Sequence, residues 1–466
     1  MIKLIYLHLK DRKLLWRRVR MRKKQILALV LSVSMAFGMS LGTVSFAKED
    51  ITQAGIIEDA DSNGKVKENE RAENSERTLS PEEQESVTEN PEINTKTSKD
   101  SGAKESGATS VVTQTDEDTA PTAIGTVVYL DFKSGSDTAD GSDEAHAVQS
   151  IKRAIELAGE DGTIIVTGSR AVEITEDIVL GDGITIKTGE NFTANSSMLD
   201  ITGCKVTINR ATIDGGKNEN KTQSSSSGLI LVNNATLIIN DGARICNGWG
   251  GGITLRTVNR DANLIMNGGE IYNLGSKDNN SPMQYAVNIN LMLDGGTATF
   301  TMSGGSIHHN LVSGCAVYMA SAMGTKGIFN MTGGSIKNNE PLPGSDDKGV
   351  GVCARIGTFN MSGGEISDNQ GGGVIIEDDM GLSSSTVFNM TGGEISGNSA
   401  GYGAGIAVEG GTVNIEGNAL ITRNRTVGND GGGGIAAYGG KVNVTGGTIS
   451  ENTAGFGGGI ASWKNG

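Results

Sequence analysis

Aromatic residues make up only 4% of this chain of 466 residues, too few to fill a conventional large hydrophobic core. Its repetitive part contains no amphipathic run of ten or more residues at a 3.6-residue period, which excludes a helical solenoid. The four cysteines (Cys204, Cys246, Cys315 and Cys353) show no CxxC or other metal-ligand spacing. Free buried thiols are therefore expected. Strand alternation puts Cys315 on an inward position and Cys353 on an outward one, which argues against a bridge between them. The sequence has no HExxH, GxSxG, P-loop or dinucleotide fingerprint, so the chemistries those motifs serve have no signature here. Histidine is equally scarce, at four residues. His308-His309 lies in a turn where neighbouring repeats carry Lys337-Asn338 and Ser367-Asp368, and it reads as a solvated turn rather than a metal site.

What the chain does have is a repeated phrase. Phe300 to Asn310 reads FTMSGGSIHHN, Phe329 to Asn339 FNMTGGSIKNN, Phe359 to Asn369 FNMSGGEISDN, Phe388 to Asn398 FNMTGGEISGN and Val442 to Asn452 VNVTGGTISEN. Looser copies start at Leu237, Leu264 and Val413. From Phe300 onward the successive starts lie 29, 30, 29, 25 and 29 residues apart. A fixed period of this size means a stacked, quasi-one-dimensional fold.

Within a unit, Phe329 and Met331 alternate with Asn330 and Thr332, so the apolar pair shares one face of a strand. Gly333-Gly334 bends the chain, Ile336 returns inward and Asn339 marks a corner. A third segment follows: GGGV at Gly371 to Val374, GAGI at Gly403 to Ile406, and GGGI at Gly432 to Ile435 and at Gly457 to Ile460. Three short strands per turn describe a coil of a parallel β-helix, stacked about ten times. Phe300, Phe329, Phe359 and Phe388, continued by Val413 and Val442, then form one inner column. Met302, Met331, Met361 and Met390, continued by Ile415 and Val444, form a second. Asn310, Asn339, Asn369, Asn398 and Asn452 stack at a corner, where amides bond along the axis. Asn360, on the outer side, is expected to tolerate substitution by Asp.

Residues 1 to 24 carry ten Lys or Arg against one acid, Asp11. An apolar run from Ile26 to Gly42 and the ending Ser45-Phe46-Ala47 complete a secretory signal over residues 1–47. An uncleaved signal anchor competes with it, and Met21 offers a second start. Residues 48–125 contain no Phe, Tyr or Trp and hold 19 acidic against 8 basic residues. This composition predicts a disordered acidic linker. Residues 126–466, with 34 acids and 21 bases, form the folded part. The negative charge argues against nucleic acid as a partner.

The folded part opens with a strand (VVYLDF, Val127 to Phe132), the loop GSDTADGSDE and a helix over Ala147 to Ala158, placing Val148, Ile151, Ile155 and Ala158 on one face. GTIIVTG from Gly162 to Gly168 is the first coil strand, and residues 126–168 cap the stack's open end. At the other end, a third strand begins at Gly457 and the sequence stops at Gly466. Further coils and an anchor are expected to follow in a longer gene product.

The cap from Tyr129 to Gly168, with GSD, its helix and DGTIIVTG, resembles the amino-terminal cap of pectate-lyase-like right-handed β-helix proteins. The NMTGG and GGGI repeats resemble bacterial cell-surface β-helix proteins of adhesin-like and polymorphic-membrane-protein-like families. The resemblance implies an all-β, right-handed parallel β-helix with an amino-terminal cap helix, secreted or displayed on a bacterial surface. It is specific for fold and not for activity, because lyases, hydrolases, adhesins and stalks share it.

On the outward side of the third strand, the third residue past the inward anchor is Arg256, Asn290, Ala320, Arg355, Glu377, Glu409, Tyr438 and Trp463 in successive coils. These would form a column with ~4.8 Å between members. Glu377 and Glu409, with Arg355 beside them, are the catalytic candidates, since paired carboxylates suit glycoside hydrolysis. Tyr438, Trp463, Arg256 and Asn290 are the binding candidates, the aromatics for sugar stacking. No cofactor is expected; Asp378 and Asp379 are the candidates for a Ca²⁺ ion, against the plainer reading that acids in a surface turn only solvate it. The competing reading is a charge ladder in which Arg355 neutralises Glu377 on a solvated sheet. An adhesin-like or structural binding module, meeting an extracellular glycan or a host or cell-surface protein, is thus set against a polysaccharide lyase or glycoside hydrolase. An enzyme should break the repeat to build a cleft. Coils 300–452 are unbroken, and interruptions fall at 214–228 and 274–285.

Overall fold

A computed structural model describes residues 125–463 apart from 194–196, 218–227, 278–283, 292–295, 322–325, 344–349, 379–385 and 429–430. The signal peptide, all but the last residue of the linker, and Asp379 lie outside the described residues, as do residues 218–227 and 278–283 of the two interruptions.

Among the described residues the fold is a nearly all-β parallel solenoid with three long sheets. In the described residues the Phe face has ten strands, from Ile178–Leu180 to Lys441–Val444. The Ile face has twelve, from Val127–Leu130 to Thr448–Ser450, and the Gly face has eleven, from Val172–Ile174 to Ile460–Ser462. Every strand pairs in parallel with its counterpart one coil away, so identical positions of the repeat stand directly opposite one another. Phe300 faces Phe329, Phe329 faces Phe359, Phe359 faces Phe388 and Phe388 faces Val413.

The two apolar columns form the core as the alternation requires. The four Phe side chains are completely buried, with ring centroids 4.7, 4.7 and 4.5 Å apart and planes within 8° of parallel. The Met column beside them is equally buried. Near the last described coil the columns emerge: Val442 is half-buried and Val444 is 45% exposed.

The corner asparagines form a continuous amide ladder. The Asn339 Nδ2 donates to Asn369 Oδ1 at 2.9 Å and to the Ile307 carbonyl at 3.2 Å, and its neighbours repeat this pattern. Asn424, absent from the predicted series, fills the gap between Asn398 and Asn452. It was obscured because the turn in its coil is one residue longer: Phe388 to Ile395 becomes Val413 to Ile421. A second ladder runs outside the Phe face, where Asn360 donates to Asn330 and accepts from Asn389, both at 2.9 Å. Asn360 is therefore half-buried and bonded on both sides, not a freely solvated position.

The cap helix is shorter than predicted, covering Ile151–Ala158. The Ser150 hydroxyl accepts from Arg153 N–H at its start, and Gly159 closes it at φ 66°. Asp137 accepts the Gln149 and Ser150 N–H groups, holding the preceding residues out of the helix. Val148 instead bridges to Leu130, and Ala154 takes a buried place on the helical face. The first strand ends at Leu130 because Asp131 caps the Lys133 and Ser134 N–H groups in a turn.

Candidate functional site

The outer side of the Gly face is built by a steric pairing. Its central outward column narrows to Ala407, Ala436 and Ala461, which stand opposite one another. The Gly-x-Gly turns fold back onto these small side chains. A Cβ on Gly403 would stand 2.8 Å from the Ala407 Cβ, and one on Gly432 would stand 2.6 Å from the Ala436 Cβ. The repeat's GGGIA therefore encodes a turn pressed onto its own strand, with positive φ at the first glycine.

In earlier coils larger residues occupy this column. Cys353 and Ile375 pack with Cys315, Ala407, Tyr285, Tyr318 and Tyr402 in a cluster separate from the main core. This corrects the inward placement of Cys315. Ala316 and Val317 both turn to the core, so strict alternation fails at the corner and Cys315 stays outside with Cys353. All four cysteines are thiols. Burial raises the Tyr285 and Tyr318 phenols well above the usual tyrosine range.

The predicted column is in register. The N–H groups of Arg355, Glu377, Glu409, Tyr438 and Trp463 donate to Met319, Ala354, Ile376, Val408 and Ala437 carbonyls at 2.8 to 3.0 Å. Each residue thus directly follows the last paired position of its strand. Arg256 pairs with Asn233, and Asn290, described here by its backbone only, pairs with Ala320. The column also continues backwards through Asn233 and Thr202. Arg256 Nε donates to Asn233 Oδ1 at 3.3 Å, and Asn233 Nδ2 to Thr202 Oγ1 at 3.4 Å. Those two were missed because their coils lack the glycine anchor, although the inward Ile201 and Val232 carried the same parity.

The side chains fall into two groups. Arg355 Nε pairs with Glu377 Oε2 at 2.6 Å, and its guanidinium lies 5.6 Å from the Tyr318 ring centroid, itself stacked on Tyr285. Burial opposes the Arg355 charge, but Tyr318, Cys353 and Glu377 outweigh it and favour the cation. The Glu377 side chain is only 16% exposed. In the second group, the Tyr402 hydroxyl donates to Glu409 Oε1. Tyr402 meets Tyr438 edge-on at 4.8 Å, Tyr438 stacks on Trp463 at 3.9 Å, and Phe456 closes on Trp463 at 5.4 Å. Tyr402 and Phe456 come from the folded-back turns, which strand counting does not reach.

Asp378 has a structural task. Its two oxygens accept Thr386 N–H at 2.9 Å and Gly411 N–H at 2.8 Å, joining two coils. Among the described residues no group of three or more His, Cys, Asp or Glu side chains converges as a metal centre would. The expectation of a solvated turn holds for exposed His309 but not for His308, whose side chain is 17% exposed and stacked on Tyr272.

No family model matches the chain, and neither does any curated protein.

Proposed function

We propose that the chain is a secreted or bacterial-surface β-helix of adhesin-like type, acting as a binding or structural module whose Gly face meets an extracellular glycan. The observation carrying this reading is the aromatic pair Tyr438 and Trp463 next to Glu409 on the outward column, joined by Tyr402 from the folded-back turn. Aromatic rings with a hydrogen-bonding carboxylate among them offer apolar contact and polar orientation to a sugar. The resemblance of the cap and repeats to pectate-lyase-like and bacterial surface β-helices supports export and display. A host or cell-surface protein is the other partner of the same module.

The competing activity, polysaccharide lyase or glycoside hydrolase, draws on Glu377 and Glu409 lying on neighbouring strands. Against it, Glu377 is paired with Arg355 and Glu409 with Tyr402, so the two carboxylates serve different neighbours.

The test is a glycan array probed with the full chain, calorimetry on each hit, and an assay for sugar release or unsaturated ends from polyuronates. Binding without turnover is expected, unchanged by EGTA because Asp378 is engaged with backbone. Turnover would overturn the module in favour of the enzyme, and silence in both assays would remove the glycan.

A further inference from the structure

The outward side of the Ile face carries a separate group of chemistry-bearing residues. Strands Arg244–Cys246, Glu270–Tyr272, Ser306–His308 and Ser335–Lys337 stack there, with Arg244 opposite Glu270, Tyr272 opposite His308 and His308 opposite Lys337. Glu270 lies between Arg244 and His308, 3.6 Å from Arg244 Nε and 3.5 Å from His308 Nε2. The His308 ring lies parallel to Tyr272 with centroids 5.4 Å apart. Directly after it the chain enters the left-handed region at His309, φ 50°, which sets the second imidazole perpendicular to the first. The two Nδ1 atoms face each other at 2.8 Å.

Two imidazole nitrogens at that distance hold one proton between them, so one Nδ1 presents a lone pair to the other. The same juxtaposition suits a metal ion. With metal–nitrogen bonds of about 2.0–2.1 Å, two ligands at right angles stand about 2.9 Å apart. The His309 ring is exposed, so aiming both lone pairs at one ion displaces no packed side chain. Glu270 stands at the far nitrogen of His308, the place where a metal-binding histidine finds its orienting carboxylate. Lys337 opposes a dication at this position, and Glu270 offsets it.

We propose that His308 and His309 form a two-imidazole site for a borderline divalent transition ion of the Cu²⁺, Ni²⁺ or Zn²⁺ class. Imidazole selects that class over Ca²⁺ and Mg²⁺. Two protein donors leave the remaining positions to water or to a donor atom of another molecule, so the site is open rather than structural.

The experiment is calorimetric titration of the full chain with Cu²⁺, Ni²⁺ and Zn²⁺ near neutral pH, with electron paramagnetic resonance on the Cu²⁺ form to count nitrogen ligands. One equivalent bound through two nitrogens is expected. His309→Asn should remove it while leaving metal-free melting unchanged, because Asn338 and Asn273 already hold this left-handed corner in adjacent coils. Glu270→Gln should weaken binding by about 10–100-fold, and His146→Ala should have no effect. Absence of binding with all three ions, or binding undiminished in His309→Asn, would overturn the site.

Discussion

Asn339 and Asn369 stand one above the other at the inner corner, and Asn369 Oδ1 accepts both the Nδ2 and the backbone N–H of Asn339, at 2.9 and 3.1 Å. Asn369 Nδ2 in turn donates to the Ile336 carbonyl and to Asn398 Oδ1, each at 3.0 Å. All four hydrogen-bonding sites of this buried amide are used. Asn369→Ala leaves buried donors and an acceptor unpaired in two coils and should lower stability by about 3–5 kcal/mol. Asn369→Asp should be worse, because a carboxylate would face two acceptors. The urea midpoint measures both, and an Ala variant close to wild type would refute the ladder's energetic role.

Phe359 lies between Phe329 and Phe388 with no solvent exposure. Phe359→Asp buries an unpaired charge in a dry stack and should abolish cooperative unfolding of the surrounding coils. Asn360→Asp, one residue along, keeps the acceptor for Asn389 but loses the donor to Asn330. A loss of about 1–2 kcal/mol is expected. Equal stability of the two variants in thermal unfolding would contradict the strand parity.

The repeat made the fold legible because period, alternation and register are all one-dimensional. Phe329 and Phe359 need only their spacing to be placed face to face, and Glu377 and Glu409 follow by counting. The features that escaped depend on chain reversal at the corners. Tyr402 reaches Glu409 because its glycine turn folds over the small Ala column, and Cys315 joins Cys353 because alternation breaks at Ala316 and Val317. Neither event has a period. The His308–His309 approach likewise needs the left-handed backbone at residue 309, which a turn pattern implies without aiming its side chain.

Asp137 gives the cap a pH dependence. Burial raises its pKa, but hydrogen bonds from Ser150, then from Gln149, outweigh it and hold the carboxyl below its ordinary value of 3.8. A carboxyl depressed in the folded state stabilises above its unfolded pKa, and that contribution disappears as pH falls through the folded value. Wild type should therefore lose cap stability in acid below about pH 4, whereas Asp137→Asn should be weaker at neutral pH and flatter in that range. Hydrogen exchange of the Gln149 and Ser150 amides reports this directly. Parallel acid profiles for the two proteins would refute the assignment.

The two groups on the Gly face should separate in a binding assay. Glu377→Gln removes an ion pair with a half-exposed Arg355, so stability should change by only about 0–1 kcal/mol. Trp463→Ala removes the ring stacked on Tyr438 and should weaken glycan binding while the melting transition moves little. Calorimetry with an array hit compares the two. Loss of binding in Glu377→Gln with retention in Trp463→Ala would move the site from the aromatic group to Arg355 and Glu377.

Gly432 and Gly401 test the turn that shapes this face. A Cβ at Gly432 would meet the Ala436 Cβ and the Ile435 carbonyl, both at 2.6 Å, in a backbone of φ 73°. Steric overlap and the left-handed penalty then act together, and Gly432→Ala should lower stability by about 2–4 kcal/mol. The turn would lift from the Ala column. At Gly401 no atom lies within 4 Å of the added Cβ, and φ is outside the positive region. Gly401→Ala restricts the unfolded chain without straining the folded one, so it should be neutral or stabilise by up to about 1 kcal/mol. Thermal unfolding of the two variants is the measurement. A Gly432→Ala protein as stable as Gly401→Ala would show that the turn does not press on the strand.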